Sequence, residues 1–281
     1  MKKIGFVTSE EDPKLTADDL LAFPALAKLG ISVVPVIWDK NTDFANLDAL
    51  IFRSCWNYHR KYEDFLFFLT RVRSLNIPVF NSVDTIAWNL NKKHIIEFES
   101  KILVPKTNFF EKKKPFRLDG FGNAEQIVIK PAVSLNGNDT YLLPTDDLKP
   151  IEKIIQELLK NRDVLVQEYI PEIKTNGEIS LVYFNKKYSH AIRKIPAKNE
   201  FRVHAEYGGS RDSIKPDAAV LAYGQAVLNE VTADLLYARV DVVESKKGPV
   251  LIELELIDPM LFLTQDHAIE NFVTAIAEVL S

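Results

Sequence analysis

Residues 237–256 read YARVDVVESKKGPVLIELEL, two alternating apolar runs separated by a turn. Every second side chain of an extended chain points to the same side, so Arg239 and Asp241 share one face of a strand. Glu253 and Glu255 share a face of the next strand by the same rule. Three carboxylates on two adjacent interior strands are costly to bury unpaired, and Mg²⁺ bound by their hard oxygen atoms removes that cost. The alternative is a salt bridge between Arg239 and one glutamate on a surface.

Composition limits the classes of function. The chain has 281 residues, which favours two domains, and its 47% hydrophobic content excludes a disordered chain. The formal net charge is −4 without a basic stripe, so no nucleic-acid partner is expected. No apolar stretch approaches the ~20 residues of a membrane helix, so no membrane partner is expected. The single cysteine, Cys55, forms no internal disulfide, which suits a reducing compartment and predicts a cytoplasmic protein.

The first part of the chain, residues 1–88, alternates strands and helices. Strands are predicted at 2–8, 31–37, 47–52 and 78–80, and helices at 18–29 and 62–75. This order predicts a small open parallel α/β sheet. Ligands bind at the carboxyl ends of such strands, which here carry residues 8–12 and 53–59. No G-x-G-x-x-G occurs there, so a dinucleotide site is not expected.

Residues 89–281 follow a different pattern, α+β and mostly antiparallel. Strands are predicted at 106–109, 126–131, 163–169, 178–184, 187–194, 201–205, 236–243 and 249–256. Helices are predicted at 92–100, 147–159, 216–229 and 266–280. The fold class is therefore an α/β domain followed by an α+β domain.

A small polar loop follows the strand that ends in Lys130-Pro131. Residues 132–140 contain Gly137, in a chain with 10 glycines where about 20 are expected at the usual ~7%. Backbone N–H groups of such a loop can cradle phosphate oxygens, while Lys130 supplies a fixed cation. The alternative is an ordinary polar turn after a strand.

The next buried strand finishes in Gln167-Glu168-Tyr169-Ile170. A carboxylate and a free backbone edge are the partners that an adenine amino group and ring nitrogen require. Glu178 starts the strand after it and is placed to accept hydrogen bonds from ribose hydroxyls. The alternative is a pair of exposed glutamates at strand ends.

Three cationic residues follow around one hairpin: Arg193, Lys194 and Arg202. Gly208-Gly209 belongs to the same group of residues. Fixed guanidinium and ammonium groups suit the charge that develops on a transferring phosphoryl group. Taken separately, the same residues are ordinary solvated charges.

In this order the motifs resemble the ATP-grasp superfamily of carboxylate–amine ligases. The likeness rests on the succession Lys92, Lys130, Gly137, Gln167 to Ile170, Gly177-Glu178, Asn199 to Arg202, Gly208-Gly209, Arg239-x-Asp241 and Glu253-x-Glu255. It covers about residues 81–281, and the small domain before it resembles the family's preceding substrate domain. Within this superfamily the chain is similar to the group of glutathione synthetase, the ribosomal-protein glutamate ligases and the enzyme that closes the cycloserine ring. The motifs at 53–58, 130–134 and 253–259 resemble the last of these branches.

The resemblance implies an ATP-grasp fold in which residues 89–281 form two lobes around ATP, the first covering about residues 89–165. The implied ATP-binding residues are Lys92, Lys130, Ser134, Asn136, Gly137, Gln167, Glu168, Tyr169, Ile170 and Glu178. Asp241, Glu253 and Glu255 would bind two Mg²⁺ ions, with Mn²⁺ as an alternative. Lys194 and Arg202 would be catalytic, steadying the γ-phosphoryl group and the acyl phosphate that it forms.

The implied substrate contacts are Arg53, Trp56, Tyr58, Gly208, Gly209 and Arg239. The alternative for residues 53–58 is a partly buried aromatic turn. Two positions depart from the family pattern. Glu255 and His204 each stand where many relatives carry asparagine.

The sequence therefore predicts an ATP-dependent ligase that activates a small-molecule carboxylate, from an amino acid or peptide, for attack by an amine-type nucleophile. One alternative is a catalytically silent ATP-binding sensor or scaffold. Another is an acid–base hydrolase that uses the paired carboxylates without ATP. Dimers are common among such relatives, so a homodimer is an alternative to a monomer.

Overall fold

A four-stranded parallel sheet forms the first part of the computed structural model, which describes residues 1–40, 42–118, 121 and 124–281. Its strands are β1 (Lys2–Thr8), β2 (Ile31–Ile37), β3 (Ala49–Ser54) and β4 (Val79–Phe80), in the order β2-β1-β3-β4. The helices of this part are α1 (Ala17–Leu20), α2 (Phe23–Lys28), α3 (Tyr62–Ser74), α4 (Val83–Asn89) and α5 (His94–Glu97). The parallel α/β arrangement predicted from the alternation of strands and helices is confirmed.

Two antiparallel sheets follow. The first contains β5 (Thr107–Phe110), β6 (Gln126–Pro131), β7 (Tyr141–Pro144) and β8 (Val164–Glu168), in the order β5-β8-β6-β7. The second contains β9 (Glu178–Phe184), β10 (Lys187–Ile195), β11 (Ser210–Ile214), β12 (Tyr237–Ser245) and β13 (Gly248–Glu255), in the order β11-β10-β9-β12-β13. The helices here are α6 (Leu148–Leu159), α7 (Ile173–Asn176), α8 (Ala218–Asn229) and α9 (Ala268–Leu280).

The single helix predicted at 18–29 is wrong, because the chain forms two short helices there. Leu21 and Ala22 separate α1 from α2, and Pro24 lies in the first turn of α2. Proline lacks an N–H and is tolerated in a first turn but not inside a helix, so a new helix begins beside it.

The strand predicted at 201–205 is also wrong. The N–H groups of Phe201 and Arg202 donate to the Glu200 carboxylate, at 2.8 and 3.1 Å, and not to a neighbouring strand. A single 3₁₀ turn, Ala205–Tyr207, follows and ends at Gly208, whose φ is +80°. The segment is therefore a loop pinned by its own carboxylate.

The last helix joins the C-terminal part of the chain to the first sheet. Phe272 of α9 lies 6.3 Å from Phe6 of β1, between ring centroids, in one continuous apolar cluster. The buried Tyr237 hydroxyl contacts the carbonyl oxygens of Phe52, at 2.8 Å, and Ile257, at 2.6 Å. These contacts cross the predicted boundary at residue 88 and hold the first sheet against the second antiparallel sheet.

None of the helices in the described ranges combines the length and apolar character that a membrane crossing requires.

Candidate active site

A cleft lies between the two antiparallel sheets, and Trp56 of the loop after β3 is part of its wall. Its lining includes residues from β6, β8, β9, β10, β12 and β13, together with two loops at 134–137 and 201–206. Most of the predicted site residues line it: Trp56, Lys92, Lys130, Ser134, Asn136, Gly137, Gln167, Glu168, Tyr169, Ile170, Glu178, Lys194, Arg202, Arg239, Glu253 and Glu255.

The acidic cluster predicted from the alternation of β12 and β13 is present. Antiparallel pairing puts Asp241 opposite Glu253 and Arg239 opposite Glu255. Carboxylate oxygens of Asp241, Glu253 and Glu255 all lie within 4.8 Å of one another. Three oxygen ligands at this spacing form a donor set that suits Mg²⁺ or another hard divalent cation.

Cationic side chains surround the acidic cluster. Lys92 pairs with Glu253. Arg239 pairs with Asp241, at 2.9 Å, and with Glu255. Lys194 lies 2.5 Å from Glu178 and 3.4 Å from Asp241.

The buried charges therefore compensate one another, as burial in a low dielectric demands. The salt bridge of Arg239 with a glutamate, which is the alternative to a metal site, exists alongside the carboxylate cluster. Since Arg239 is buried, this salt bridge is not the exposed surface pair of that alternative.

The environment separates the pKa values of the carboxylates. Burial alone would raise the pKa of Glu253, but Lys92 and Lys130 outweigh burial and bring that pKa to about 2. The pKa of Asp241 is lowered in the same way, because Arg239 and Lys194 outweigh burial and hold this pKa well below the usual range. Both side chains are therefore anionic at neutral pH.

Glu255 differs from its two neighbours. Burial and the repulsion of Glu253 and Asp241 outweigh the attraction of Arg239 and raise the pKa of Glu255 to about 7. The extra carboxylate at this position is therefore only partly ionised at neutral pH in the absence of a cation. A divalent ion would favour its ionised form.

The cleft also suits a nucleotide polyphosphate, because its lysines can contact phosphate oxygens. Lys92 and Lys130 lie on the wall of the cleft beside Glu253. Burial lowers the pKa of Lys130 to about 8, so its ammonium group is charged at neutral pH yet poorly compensated. Phosphate oxygens would supply the missing negative charge.

The loop after β6 contributes two successive left-handed residues, Asn136 (φ +52°) and Gly137 (φ +62°). Asparagine tolerates this conformation better than most residues, so the loop turns sharply although it holds one glycine. A Cβ on Gly137 would lie 2.8 Å from Cδ of Arg202, so the loop packs closely on that side chain. The Lys92 N–H donates to the Ala132 carbonyl at 2.8 Å and ties the loop to the start of α5.

The far end of the cleft is the predicted adenine end. Lys130 Nζ donates to Gln167 Oε1 at 3.2 Å, and Gln167 Nε2 donates to Thr107 Oγ1 at 3.0 Å. The Ile170 N–H has no hydrogen-bond partner within the described part of the chain. A free backbone donor beside the Glu168 carboxylate matches the edge that adenine requires.

Arg202 and His204 lie on the loop across the cleft. Arg202 pairs with Glu200 at 2.7 Å and stacks on Tyr207, 3.4 Å from the ring centroid. His204 lines the cleft, and its Nδ1 is buried without a partner among the residues that the structure describes. Burial and the nearby Lys194 lower the pKa of His204 to about 4, so this imidazole is neutral.

The predicted substrate residues occupy four different kinds of position. Trp56 and Arg239 line the cleft, whereas Gly208 and Gly209 lie in the loop that follows its lining at Glu206. Arg53 is fully buried, with Nε donating to Asp19 at 2.8 Å, so it supports the site from behind the lining. Tyr58 is buried in an aromatic cluster and stacks on Phe65. For Tyr58 the structure agrees with the alternative of a buried aromatic turn.

Asp258 is a cleft residue that the sequence did not predict, although it lies within the motif at 253–259. It lines the cleft and is 4% exposed. Its Oδ2 accepts the Cys55 N–H at 2.6 Å, and its carbonyl accepts Nε1 of Trp56 at 3.1 Å. No sequence pattern connects positions about 200 residues apart.

Comparison with known proteins places both parts of the chain. The family model of the ATP-grasp domain of prokaryotic glutathione synthetase matches residues 91–264. The model of the N-terminal domain of the D-cycloserine synthetase DcsG matches residues 4–81. The cycloserine biosynthesis protein DcsG of Streptomyces lavendulae is 26% identical over 274 residues, covering 90% of this chain and 91% of that protein.

Solved structures agree on the fold. The crystal structure of D-cycloserine synthetase DcsG has a TM-score of 0.87 at 24% identity, covering 99% of this chain and 100% of the other. The D-alanine–D-alanine ligase of Bacillus anthracis, solved with ATP, has a TM-score of 0.71 at 16% identity, covering 100% of this chain and 97% of the other. The predicted ATP-grasp fold with its N-terminal parallel sheet is confirmed.

Proposed function

Because this chain belongs to the ATP-grasp family of prokaryotic glutathione synthetase and is an enzyme of the ATP-grasp ligase class, we propose a specific reaction for it. The enzyme converts the carboxylate of an amino acid or peptide to an acyl phosphate with Mg²⁺-ATP. An amine-type nucleophile then attacks the acyl phosphate.

One observation carries the proposal. Oxygens of Asp241, Glu253 and Glu255 converge within 4.8 Å, and Lys92, Lys194 and Arg239 lie in contact with them. An acid–base hydrolase needs the carboxylates but not this set of cations. A reaction between a polyphosphate and a carboxylate needs both, because negative charge develops on several oxygens at once.

The chemistry balances without a further reactant. A carboxylate oxygen forms a bond to the γ-phosphorus, and the bond from that phosphorus to the ADP oxygen breaks with its electron pair. The nitrogen of the nucleophile then forms a bond to the acyl carbon, and inorganic phosphate leaves with the electron pair of the C–O bond. The nitrogen loses one proton. The products are ADP, phosphate and a molecule in which an amide-type bond joins the acyl group to the nucleophile.

Residues in different parts of the cleft would have different roles in this reaction. Lys92 and Lys130 would hold phosphate oxygens, and the Asn136–Gly137 turn would close over them. Asp241, Glu253 and Glu255 would hold Mg²⁺, which supplies charge neutralisation on the phosphates. Lys194, next to Asp241, and Arg202, on the opposite loop, would stabilise the transferring group.

At the adenine end of the cleft, Glu168 and the Ile170 N–H would form hydrogen bonds with the edge of the adenine ring. Glu178 would contact the ribose. In the structure Glu178 is instead paired with Lys194. Contact with a ribose would therefore require that pair to loosen.

Other features of the proposal stay predictions. They are two Mg²⁺ ions with Mn²⁺ as a substitute, a domain boundary at residue 88, a cytoplasmic location and a homodimer.

The experiment measures nucleotide products with free amino acids of both configurations, alone and in pairs, in the presence of Mg²⁺-ATP. We expect ADP and phosphate in equal amounts, stimulated by particular substrates and lost in Asp241→Asn. Release of AMP and pyrophosphate would contradict acyl-phosphate chemistry. ATP binding without turnover across the whole panel would favour the silent sensor.

A further inference from the structure

The cleft contains a buried acid that the proposed reaction leaves without a task. Asp258 is 4% exposed, lines the cleft and lies three residues after Glu255. Three residues of chain span at most about 11 Å, so the Cα atom of Asp258 lies within that distance of the Cα atom of Glu255, at one side of the acidic cluster.

Asp258 lacks a cationic partner in the part of the chain that the structure describes. Among the described residues, no lysine, arginine or histidine nitrogen lies within 4.0 Å of its carboxylate. The nearby Arg53 does not pair with Asp258: Nε donates to Asp19 at 2.8 Å, Nη2 donates to the Pro259 carbonyl at 3.1 Å, and Nη1 has no hydrogen-bond partner among the described residues. Each carboxylate of the acidic cluster has a cation in contact, and so does the buried Glu178, which pairs with Lys194. Among the described residues, Asp258 is therefore the buried carboxylate of the lining that lacks such a contact.

The protein holds this carboxylate in place from one side. The Cys55 N–H donates to Oδ2 at 2.6 Å, and Trp56 Nε1 donates to the backbone carbonyl of the same residue at 3.1 Å. Both donors belong to the loop after β3, so the side chain has a fixed position at the wall of the cleft. Burial raises the pKa of Asp258 to about 7, against the weaker opposing effects of the Cys55 N–H and Arg53.

The surroundings of Asp258 suit a small cationic group. Trp56, Met260 and Phe262 line the same cleft as Asp258, and these apolar side chains would desolvate a bound ammonium group. Arg211, which also lines the cleft, contacts Met260 and Phe262 and does not pair with Asp258. An unpaired buried carboxylate is costly, and a ligand ammonium group restores the missing charge. Charge-assisted hydrogen bonds of this kind are the strong ones.

Resting on the proposed function, we propose that Asp258 is the counter-ion for the free α-ammonium group of an amino-acid substrate whose carboxylate lies at the acidic cluster. Asp258 is thus a specificity-determining residue. It selects α-amino acids over α-hydroxy acids and over amino acids with an acylated nitrogen.

The test uses hydroxylamine as the nucleophile, so the natural amine need not be known. The hydroxylamine nitrogen bonds to the acyl carbon of an acyl phosphate, phosphate leaves, and a hydroxamate forms with loss of one proton. Alanine, serine and their hydroxy-acid counterparts lactate and glycerate, in both configurations, are compared with Mg²⁺-ATP in the wild-type protein and in Asp258→Asn. Asparagine at this position keeps an oxygen that accepts the Cys55 N–H, so the variant removes charge and preserves the anchor.

We expect the wild-type protein to prefer an amino acid over its hydroxy acid by about tenfold or more in kcat/KM. Asp258→Asn abolishes that preference through a higher amino-acid KM, while its KM for ATP stays within about twofold. Asp234→Asn, at an exposed position outside the cleft, keeps the preference.

Three results would overturn the inference. The first is equal use of hydroxy acids by the wild-type protein. The second is an unchanged preference in Asp258→Asn. The third is an equal rise of the KM for the amino acid and the KM for ATP, which indicates a structural role only. If no carboxylate gives hydroxamate although ATP binds, the proposed function fails, and this inference fails with it.

Discussion

Replacing Glu253 by glutamine tests the acidic cluster with a change of one atom. Glu253 contacts Lys92, lies opposite Asp241 across the β12–β13 pair, and contributes one of three clustered carboxylates. Glutamine has nearly the same shape, so the substitution removes a charge without opening a cavity. It leaves Lys92 without its anionic partner.

The pKa of Glu253 gives the size of the effect on stability. A value of about 2, against the ordinary 4.5, corresponds to about 3 kcal/mol of ionic stabilisation of the folded state. The side chain is 26% exposed, so solvent screening reduces the expected loss to about 1–3 kcal/mol. Because the folded-state pKa lies below the unfolded one, this stabilisation is present above about pH 4.5 and is lost as the pH falls toward 2.

The effect on activity follows from the same charge. A charged hydrogen-bonding or ligand interaction is worth about 1.5–3 kcal/mol, which is a factor of about 10 to 150 in kcat/KM. We therefore expect ADP release by Glu253→Gln to fall by that factor.

Urea unfolding without Mg²⁺ and steady-state ADP release measure the two effects. Glu244→Gln is the matched control, since Glu244 is a paired glutamate on β12 that faces Arg193 at 3.0 Å outside the cleft lining. It should lose less than about 1 kcal/mol and keep its activity. If Glu253→Gln matches this control in both measurements, the reasoning about the acidic cluster is refuted.

Three further substitutions test other parts of the account. Lys130→Met should raise the ATP KM about 10- to 150-fold. It should also raise the free energy of unfolding at pH 7 by up to about 3 kcal/mol, because burial lowers the Lys130 pKa to about 8 and the charge then costs stability; equal stability in urea would contradict this. Tyr237→Phe should cost about 1–3 kcal/mol in urea unfolding, since the carbonyls of Phe52 and Ile257 lose a buried donor; a neutral effect would mean that the hydroxyl does not join the domains. Gly209→Ala places a Cβ 2.3 Å from the Val203 carbonyl oxygen, so the loop carrying Arg202 must shift; we expect kcat/KM to fall at least tenfold, and wild-type kinetics would show that the loop position is unimportant.

Local patterns explain which parts of the site could be predicted from the sequence. Alternation of side chains along β12 and β13 puts Asp241, Glu253 and Glu255 on one face of the sheet. This alternation can be recognised from neighbouring residues in the sequence. The parallel sheet follows from the order of strands and helices in residues 1–88, and each of these elements is a short local run.

Other features depend on contacts that no local pattern contains. The strand predicted at 201–205 fails because the Glu200 side chain takes the backbone N–H groups that a strand would use. Strand β11 (Ser210–Ile214) was not predicted, since its mostly exposed residues show no apolar alternation. Arg53 was expected to contact substrate, but its partner Asp19 lies on α1 and draws it into the core.

Charge compensation explains how the cleft folds with so many ionisable groups. Lys92, Lys194 and Arg239 neutralise the acidic cluster through direct pairs, and each is also suited to contact phosphate. The same residues therefore stabilise the folded protein and prepare the cleft for a polyphosphate.

Transfer of oxygen from the substrate to phosphate distinguishes an acyl-phosphate mechanism from hydrolysis of ATP by water. The substrate that best stimulates ADP release is labelled with ¹⁸O in its carboxylate, and the inorganic phosphate is analysed by mass spectrometry after turnover. The proposed reaction predicts one ¹⁸O atom in each phosphate released, because the carboxylate oxygen that bonds to the γ-phosphorus leaves with it. Phosphate without ¹⁸O, released together with ADP, would show that water attacks ATP and would contradict the acyl-phosphate mechanism.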